Sequence, residues 1–582
     1  FGNIRQTGIA LCCLLSGLIW ARGSVGLLQE AGVEIQGKML YETVYFSLVF
    51  TSLIVSGISF VERKFDSYNE TRKKHPGKTR AQVWAQTKAN PAELIDERII
   101  MTGLVAIFGF GTLYQVEIRQ IMEVGIFSAI GLTFMLILTL YLVPALHILA
   151  GGEFRLGARS LPGKWWLLLD KTVKKCYQWS CPKGENTSLS AFHRRGVKAG
   201  AGVAALAILV AGVIGAGALS DGFEPVKVKT EPLEFIQETL LYKTSQDVNK
   251  PGEYGFDRAM FILRPAENAR PGPAIYRPKF LQKAEDLQTG LEADPVLENH
   301  VRYIHSAVDM VKVVSRENYG HSLPRTKGQA VDSFRLLRAE LGMPGQQQLW
   351  GRNGLVIYAS TSATDSNAME TVVNRTLEVA NRDFPELRVD TFGKVATYAG
   401  ADKYLRERQA ANTATQIFWI FLFTAIWIGW RNWRFRRKEQ SFFLSSYGSG
   451  LAISLPFIFA SAMMAGVIML FRIPFDQATA CITALTVNAA IDFSLYVVAD
   501  YQAGLLAGGN RADGIKYAVL TRGRVVLIDV AINSACFAPL MLSPFTPIAR
   551  IGWMMMVMLA FCGFGAMVIL PTVLPLATRP NK

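Results

Sequence analysis

The sequence predicts a membrane protein: an all-α transmembrane bundle of about ten helices in two related halves, with a soluble α/β domain of split βαβ type inserted between them. Three observations predict it. Half of the 582 residues are hydrophobic and 18% are charged, with a mean hydropathy of +0.23. This excludes a disordered chain and points to long lipid-facing segments. The net charge of +15 is unevenly spread: residues 221–410 sum to −1 and the remainder to +16. Positive charge therefore flanks the apolar segments, as in a membrane protein, and does not form a nucleic-acid-binding face. The third observation is that the two ends of the chain repeat one another.

Ten stretches are apolar and long enough, at about 1.5 Å per residue, to cross roughly 30 Å of hydrocarbon. They fall near 4–21, 41–61, 98–115, 121–150, 197–219, 414–430, 448–471, 475–500, 522–542 and 550–577. The second, third and ninth carry polar residues, so they rank below Ile126–Leu149 or Val197–Leu219 by hydropathy alone. The connections 62–97, 151–196, 431–447 and 501–521 and the tail from Arg579 to Lys582 are basic. With ten spans all of these lie on one side, which the positive-inside rule makes cytoplasmic. The organisation is then 1–150, first-half helices; 151–196, a cytoplasmic connector; 197–219, a further span; 220–413, an extracytoplasmic domain; and 414–582, second-half helices. In the connector, Trp165, Trp166, Lys171, Lys174 and Lys175 suit either an interfacial helix on the anionic inner leaflet or an ordinary link.

Within 220–413, Ala259–Arg264, Gly354–Tyr358 and Arg388–Phe392 read as strands. Pro278–Ala293 and Asn367–Asp383 read as amphipathic helices, the second capped by Asp365 or Ser366. Strand, helix, strand in this order suggests split βαβ units. None of the seven cysteines lies in this domain. Cys176 and Cys181 form a C-x4-C pair in the connector without nearby histidines and make a poor zinc site.

The repeat is visible at several points. Gly125 and Pro144 are nineteen residues apart, as are Gly552 and Pro571; Gly109-Phe110 and Cys536-Phe537 keep the same offset of 427. Upstream, Gly57-Ile-Ser-Phe60 with Tyr68 matches Ala490-Ile-Asp-Phe493 with Tyr501 at an offset of 433. Duplicated halves of this kind are a common transporter architecture.

With Ala490-Ile-Asp-Phe-Ser494, Asp500-Tyr501, Gly523-Arg524, Cys536-Phe537, Ser543-Pro-Phe545 and the closing Gly552 and Leu570-Pro571 in that order, the chain resembles the resistance-nodulation-division (RND) permeases. It is most similar to their MMPL-type branch, which includes lipid and hopanoid exporters. The resemblance covers nearly the whole chain and implies a multi-pass protein of the bacterial inner (cytoplasmic) membrane. Its substrate would be hydrophobic or lipid-like, protons would drive export, and the large domain would be porter-type and face the periplasm. Family members have twelve spans and two porter domains, so the visible helices correspond to spans three to twelve. Spans one and two and the first porter domain are expected to lie outside this sequence. The resemblance leaves open a homo-oligomer or an accessory membrane protein as partner.

The chemistry falls in the spans. Asp492 is expected roughly 12 Å inside its helix end. A carboxylate there costs about 3 kcal/mol on insertion scales and is usually retained for ion pathways or proton relays. Asn488 and Tyr496 flank it at i±4, giving one polar stripe. Asp529 and Asn533 form another i,i+4 pair on the next helix, and facing stripes would make a hydrogen-bonded proton relay. The resemblance implies the same, with Asp492-Phe493 in the place of the family's proton-carrying pair and Asn533 near its relay hydroxyl. The alternative is a structural carboxylate satisfied by neighbouring helices. The first-half counterparts of Asp492 and Asp529 are Ser59 and Thr102, neither of which carries a charge. Coupling must therefore rest on the second half, or the chain is a coupling-deficient permease fold that acts as a structural partner of another membrane complex. There is no P-loop, GxSxG or HExxH motif and the six histidines are scattered. Neither an enzyme, a metal, a cofactor nor ATP-driven transport is expected.

Overall fold

A computed structural model describes residues 4–30, 43–89, 95–116, 119–150, 163–181, 189–219, 257–266, 273–351, 353–363, 366–436, 442–508, 510–521, 523–544 and 546–580; a few side chains within these stretches, that of Asn488 among them, lie outside the description. The chain forms two compact units. One comprises Phe1–Lys227, Arg406–Ser543 and Pro547–Lys582, the other Val228–Leu405 and Pro544–Thr546.

The first unit opens with α1 (Ile4–Glu30), α2 (Thr43–Lys74), α3 (Arg80–Ala89), α4 (Ile95–Gly111), α5 (Arg119–Leu149), α6 (Gly163–Ser180) and α7 (Leu189–Leu219). Among the described residues nine stretches are long and apolar enough to cross a membrane, from Arg5–Ser24 to Thr546–Ala577. The expected span 41–61 is not one of the nine, although it is helical within α2. Its polar groups explain the difference. Ser52, Ser56 and Ser59 are buried, with Ser52 and Ser56 donating to backbone carbonyls of their own helix. A helix packed against α1 and α5 can carry hydroxyls that a lipid-facing one could not. The connector contains α6, whose Val173, Cys176 and Ser180 are buried. Ser180 donates to the Met567 carbonyl at 3.1 Å, and Asp170 pairs with Arg524 at 2.5 Å. Trp165 and Trp166 have side chains outside the description.

The second unit is a five-stranded antiparallel sheet with helices. Its elements are β1 (Asp257–Pro265), α8 (Pro278–Glu292), β2 (Val301–Ser306), α9 (Ala307–Tyr319), α10 (Lys327–Leu349), β3 (Trp350–Gly351), β4 (Gly354–Thr361), α11 (Ser366–Asp383) and β5 (Leu387–Phe392). The strand order β2-β4-β1-β5, with the short β3 on β4, is that of two split βαβ units, since α8 links β1 to β2 across β4 and α11 links β4 to β5 across β1. Alternating Ala259, Phe261 and Leu263 on β1 join Leu355, Ile357 and Ala359 of β4 in a core closed by Leu281, Leu287, Met369 and Val372 of the helices. The three expected strands and two expected helices are all present, and β2, β3, α9 and α10 are additional. Of the two expected caps of α11, Asp365 lies outside the described residues and Ser366 is the first residue of the helix.

Asp294 stitches this unit together. It is buried, its Oδ1 accepts from the Val296 and Leu297 amides and its Oδ2 from Arg375 Nε on α11 at 3.0 Å. Burial alone would raise the carboxyl, but the hydrogen bonds from Arg375 and the two amides outweigh it and hold the group below the usual carboxylate range. A folded-state pKa below the unfolded one gives stability that is present in full above the unfolded value and is lost as pH falls through the folded value. Asp294→Ala should therefore cost about 1 kcal/mol near neutral pH, as for a lost helix cap. In thermal unfolding, the gap between wild type and variant should close in acid. A gap that persists in acid would contradict the ionised-carboxylate account.

α12 (Lys394–Arg436) starts in the second unit and belongs to the first from Arg406 on; the first unit continues with β6 (Phe442–Leu444), α13 (Ser446–Leu470), α14 (Ile482–Gly508), α15 (Arg511–Lys516), α16 (Gly523–Phe537), α17 (Thr546–Phe564), α18 (Leu570–Ala577) and β7 (Thr578–Pro580), with β6 and β7 paired antiparallel. The repeat acquires a physical meaning here. In each half a helix ends in a 3₁₀ turn, Thr112–Val116 or Ala538–Leu542, and the next helix returns past it. A Cβ on Gly125 would lie 2.5 Å from the Phe110 carbonyl oxygen and 3.0 Å from Leu113 Cβ; one on Gly552 would lie 2.9 Å from the Met541 amide nitrogen and 3.1 Å from Leu540 Cβ. Leu113 and Leu540 are themselves 427 apart, so both corners use one glycine at one place for close backbone approach. Between the halves, α14 packs against α4 as α2 packs against α16.

Candidate functional site

The polar residues of α2, α14 and α16 meet inside the first unit. Asp492 on α14 is 1% exposed, Asp529 on α16 is 5%, and Ser59 and Arg63 on α2 are 1% and 7%. The Arg63 guanidinium forms an ion pair with Asp492 through one terminal nitrogen, and with Asp529 through the other at 3.2 Å. Ser59 Oγ donates to the second Asp492 oxygen at 3.2 Å. The Tyr496 ring lies under the guanidinium, 4.5 Å from its carbon. On α16 the Asn533 amide donates to Asp529 Oδ1 at 3.5 Å, while its own Oδ1 is buried and accepts no hydrogen bond.

Helical spacing explains the convergence. Ser59 and Arg63, Asp492 and Tyr496, and Asp529 and Asn533 are each four apart, so each pair forms a stripe one turn long. The repeat relation holds as well: Ser59 corresponds to Asp492 at the 433 offset, and Arg63 then corresponds to Tyr496. The counterparts touch each other, Ser59 with Asp492 and Arg63 with Tyr496, as residues beside a pseudo-twofold axis do.

Four of the sequence-predicted residues, Asp492, Tyr496, Asp529 and Asn533, are brought together with Ser59. Asn488 lies on α14 one turn before Asp492, with its side chain outside the description. Thr102 is buried on α4 and takes no part in the bonds that join the cluster. Arg63 is not among the residues the sequence singles out: it stands beside Glu62 and Lys64, charges that suit a wet helix end, and its i+4 spacing from Ser59 is the signal that could have found it. Asp500 and Tyr501 are buried, and the Tyr501 hydroxyl is 2.9 Å from Thr578 Oγ1. Among the described residues no three His, Cys, Asp or Glu side chains converge to hold a metal ion.

The arrangement has a definite charge problem. Among the bonded groups one cation faces two carboxylates, so these three carry −1 when fully ionised, while Glu62 and Arg98 also act on the cluster electrostatically. An uncompensated buried charge costs several kcal/mol.

Comparison with known proteins agrees with the architecture. The model of the MMPL family matches residues 72–175. A membrane protein of Methanocaldococcus jannaschii is 21% identical over 352 residues, covering 59% of this chain and 83% of that protein. Among solved structures, the hedgehog release protein Disp of the water bear Hypsibius dujardini superposes with a TM-score of 0.54 at 11% identity, over 97% of this chain and 71% of Disp. SecDF in its super-membrane-facing form gives 0.46 at 12% identity, over 99% of this chain and 61% of SecDF.

Proposed function

We propose that this chain, a multi-pass permease of RND/MMPL type, is a secondary transporter that exports a hydrophobic or lipid-like substrate from a bacterial inner membrane, driven by proton entry through the Arg63–Asp492–Asp529 cluster. The observation that carries the reading is the excess of buried carboxylates over cations. A cluster that is neutral only with a bound proton has a reason to load one and a cost on losing it. The basic loops support an inserted unit on the periplasmic side.

The ion pairs cross between the halves, since Arg63 is on α2 and both acids are on second-half helices. A proton on either acid weakens one charge-assisted hydrogen bond, worth about 1.5–3 kcal/mol. That shifts an equilibrium between two packings of the halves by about 10- to 100-fold. Protonated Asp529 would find an acceptor in Asn533 Oδ1 if that amide, which now presents its nitrogen to Asp529, turned over, while Ser59 bonds the second Asp492 oxygen. Rocking of the halves would then move the substrate.

A second reading is favoured by the Arg63–Asp492 pair itself. If that pair is permanent, the fold is a coupling-deficient scaffold for another membrane protein. Proton uptake into proteoliposomes under an imposed potential separates the two. Asp492→Asn should reduce uptake by about 100-fold, the loss expected when a charge-assisted bond disappears from the coupling step, with a normal elution profile in detergent. Uptake at the wild-type rate would eliminate the proton reading, and a co-purifying membrane protein retained by the variant would favour the scaffold.

A further inference from the structure

On α12 a second buried polar feature stands apart from the Arg63 cluster. Gln409, Asn412 and Gln416 fall at i, i+3 and i+7 on one face of a helix otherwise rich in aromatic and aliphatic residues. Asn412 and Gln416 are 0% exposed and Gln409 is half-buried. Gln409 Nε2 donates to the Ala480 carbonyl at 3.2 Å and to Thr483 Oγ1 at 3.4 Å. Gln416 Nε2 donates to Thr112 Oγ1 at 3.2 Å and to Asn412 Oδ1 at 3.5 Å.

In each amide the other end is buried and bonds to nothing: Gln409 Oε1, Asn412 Nδ2 and Gln416 Oε1. Exchanging the oxygen and nitrogen of any amide only exchanges which end is unmatched. Three half-satisfied amides within two turns are too costly for a membrane interior unless something bonds to them. The occupant must both donate, to the two oxygens, and accept, from the nitrogen. Water does both, whereas a cation cannot meet the Asn412 amide hydrogens.

The position gives the ladder a purpose. Thr483, which holds Gln409, is nine residues before Asp492 on α14, about 13 Å along the axis. Thr112, which holds Gln416, donates to the Gly109 carbonyl, and a Cβ on Gly109 would lie 3.0 Å from Val487 of α14, five residues before Asp492. About five water molecules at hydrogen-bond spacing would cover the interval. We infer that Gln409, Asn412 and Gln416 bind a file of water molecules that delivers protons to Asp492 from the side opposite the basic loops.

This inference rests on the proton-driven reading, and the test keeps the two apart. Proton uptake into proteoliposomes in sodium-free buffer is measured for Asn412→Leu, Gln416→Met, Gln416→Ser and Asp492→Asn. The apolar replacements should each slow uptake about tenfold, the equivalent of one hydrogen bond removed from the path, and Gln416→Ser, which leaves room for water, should retain it. Loss in Asp492→Asn with unchanged uptake in Asn412→Leu and Gln416→Met would overturn the water file and leave the proton reading standing. Unchanged uptake in Asp492→Asn would overturn the reading beneath both, and uptake that requires sodium ions would overturn water as the occupant. Should the apolar variants fail to fold, Asn412→Cys provides the second measurement. A small aqueous thiol reagent should modify it in membrane vesicles while Cys481, fully buried nearby, stays unmodified. A Cys at 412 as inert as Cys481 would overturn the inference.

Discussion

Arg63→Ala should be the most damaging single change in the membrane unit, lowering stability by about 3–5 kcal/mol, the cost of leaving buried partners uncompensated. Among the described residues Arg63 is the cation bonded to both carboxylates, so the variant leaves two acids facing each other. The damage comes from charge, so it should be reversible by charge. Arg63→Ala combined with Asp529→Asn should recover most of the loss, because one proton then neutralises what remains. Arg63→Lys should recover only part, since a compact ammonium cannot bridge two carboxylates as a planar fork does. Thermal unfolding in detergent measures all three. A double variant no more stable than Arg63→Ala would mean that packing against the Tyr496 ring, and not charge, is what Arg63 supplies.

The second large effect belongs to the corners. Gly125→Ala places a methyl group 2.5 Å from a backbone oxygen that cannot move aside, and should cost about 3 kcal/mol, the upper range for overpacking. Gly552→Ala meets its nearest atom at 2.9 Å and should cost less, about 1–2 kcal/mol. Unfolding temperatures of the two variants check the order. A neutral Gly125→Ala would show that the two backbones can separate there without loss.

Much of this architecture was legible because lipid imposes simple demands. Apolar length, basic loops and the recurrence of Gly and Pro at fixed spacing are direct consequences of crossing a membrane twice with the same design. Three features were less legible, each for a physical reason. Arg63 sits among charges that suggest a wet helix end, and only tertiary packing turns its long side chain back into the bundle. The span on α12 was expected from 414, whereas the apolar stretch begins at Arg408. Gln409 and Asn412 lower the local hydropathy, and those are the residues that matter. In the inserted unit, β2 and α9 were missed although Ser306 and Asp309 form a reciprocal capping box, a local signal that marks where a strand gives way to a helix. The cluster itself was half visible: Asp492, Tyr496, Asp529 and Asn533 could be proposed from spacing, but the partner that makes them a balanced group came from the other half of the chain.

The glycine corners carry a mechanical consequence. Where two backbones touch with no side chain between them, there is nothing compressible, so each hairpin of helices behaves as one stiff plate. Any shape change of the bundle must then be taken up along the join between the plates, where contacts are side chain to side chain and can re-form in a new register. The guanidinium and its two acids lie outside both corners, where α2, α14 and α16 meet through side chains alone, so their contacts can re-form without either corner opening.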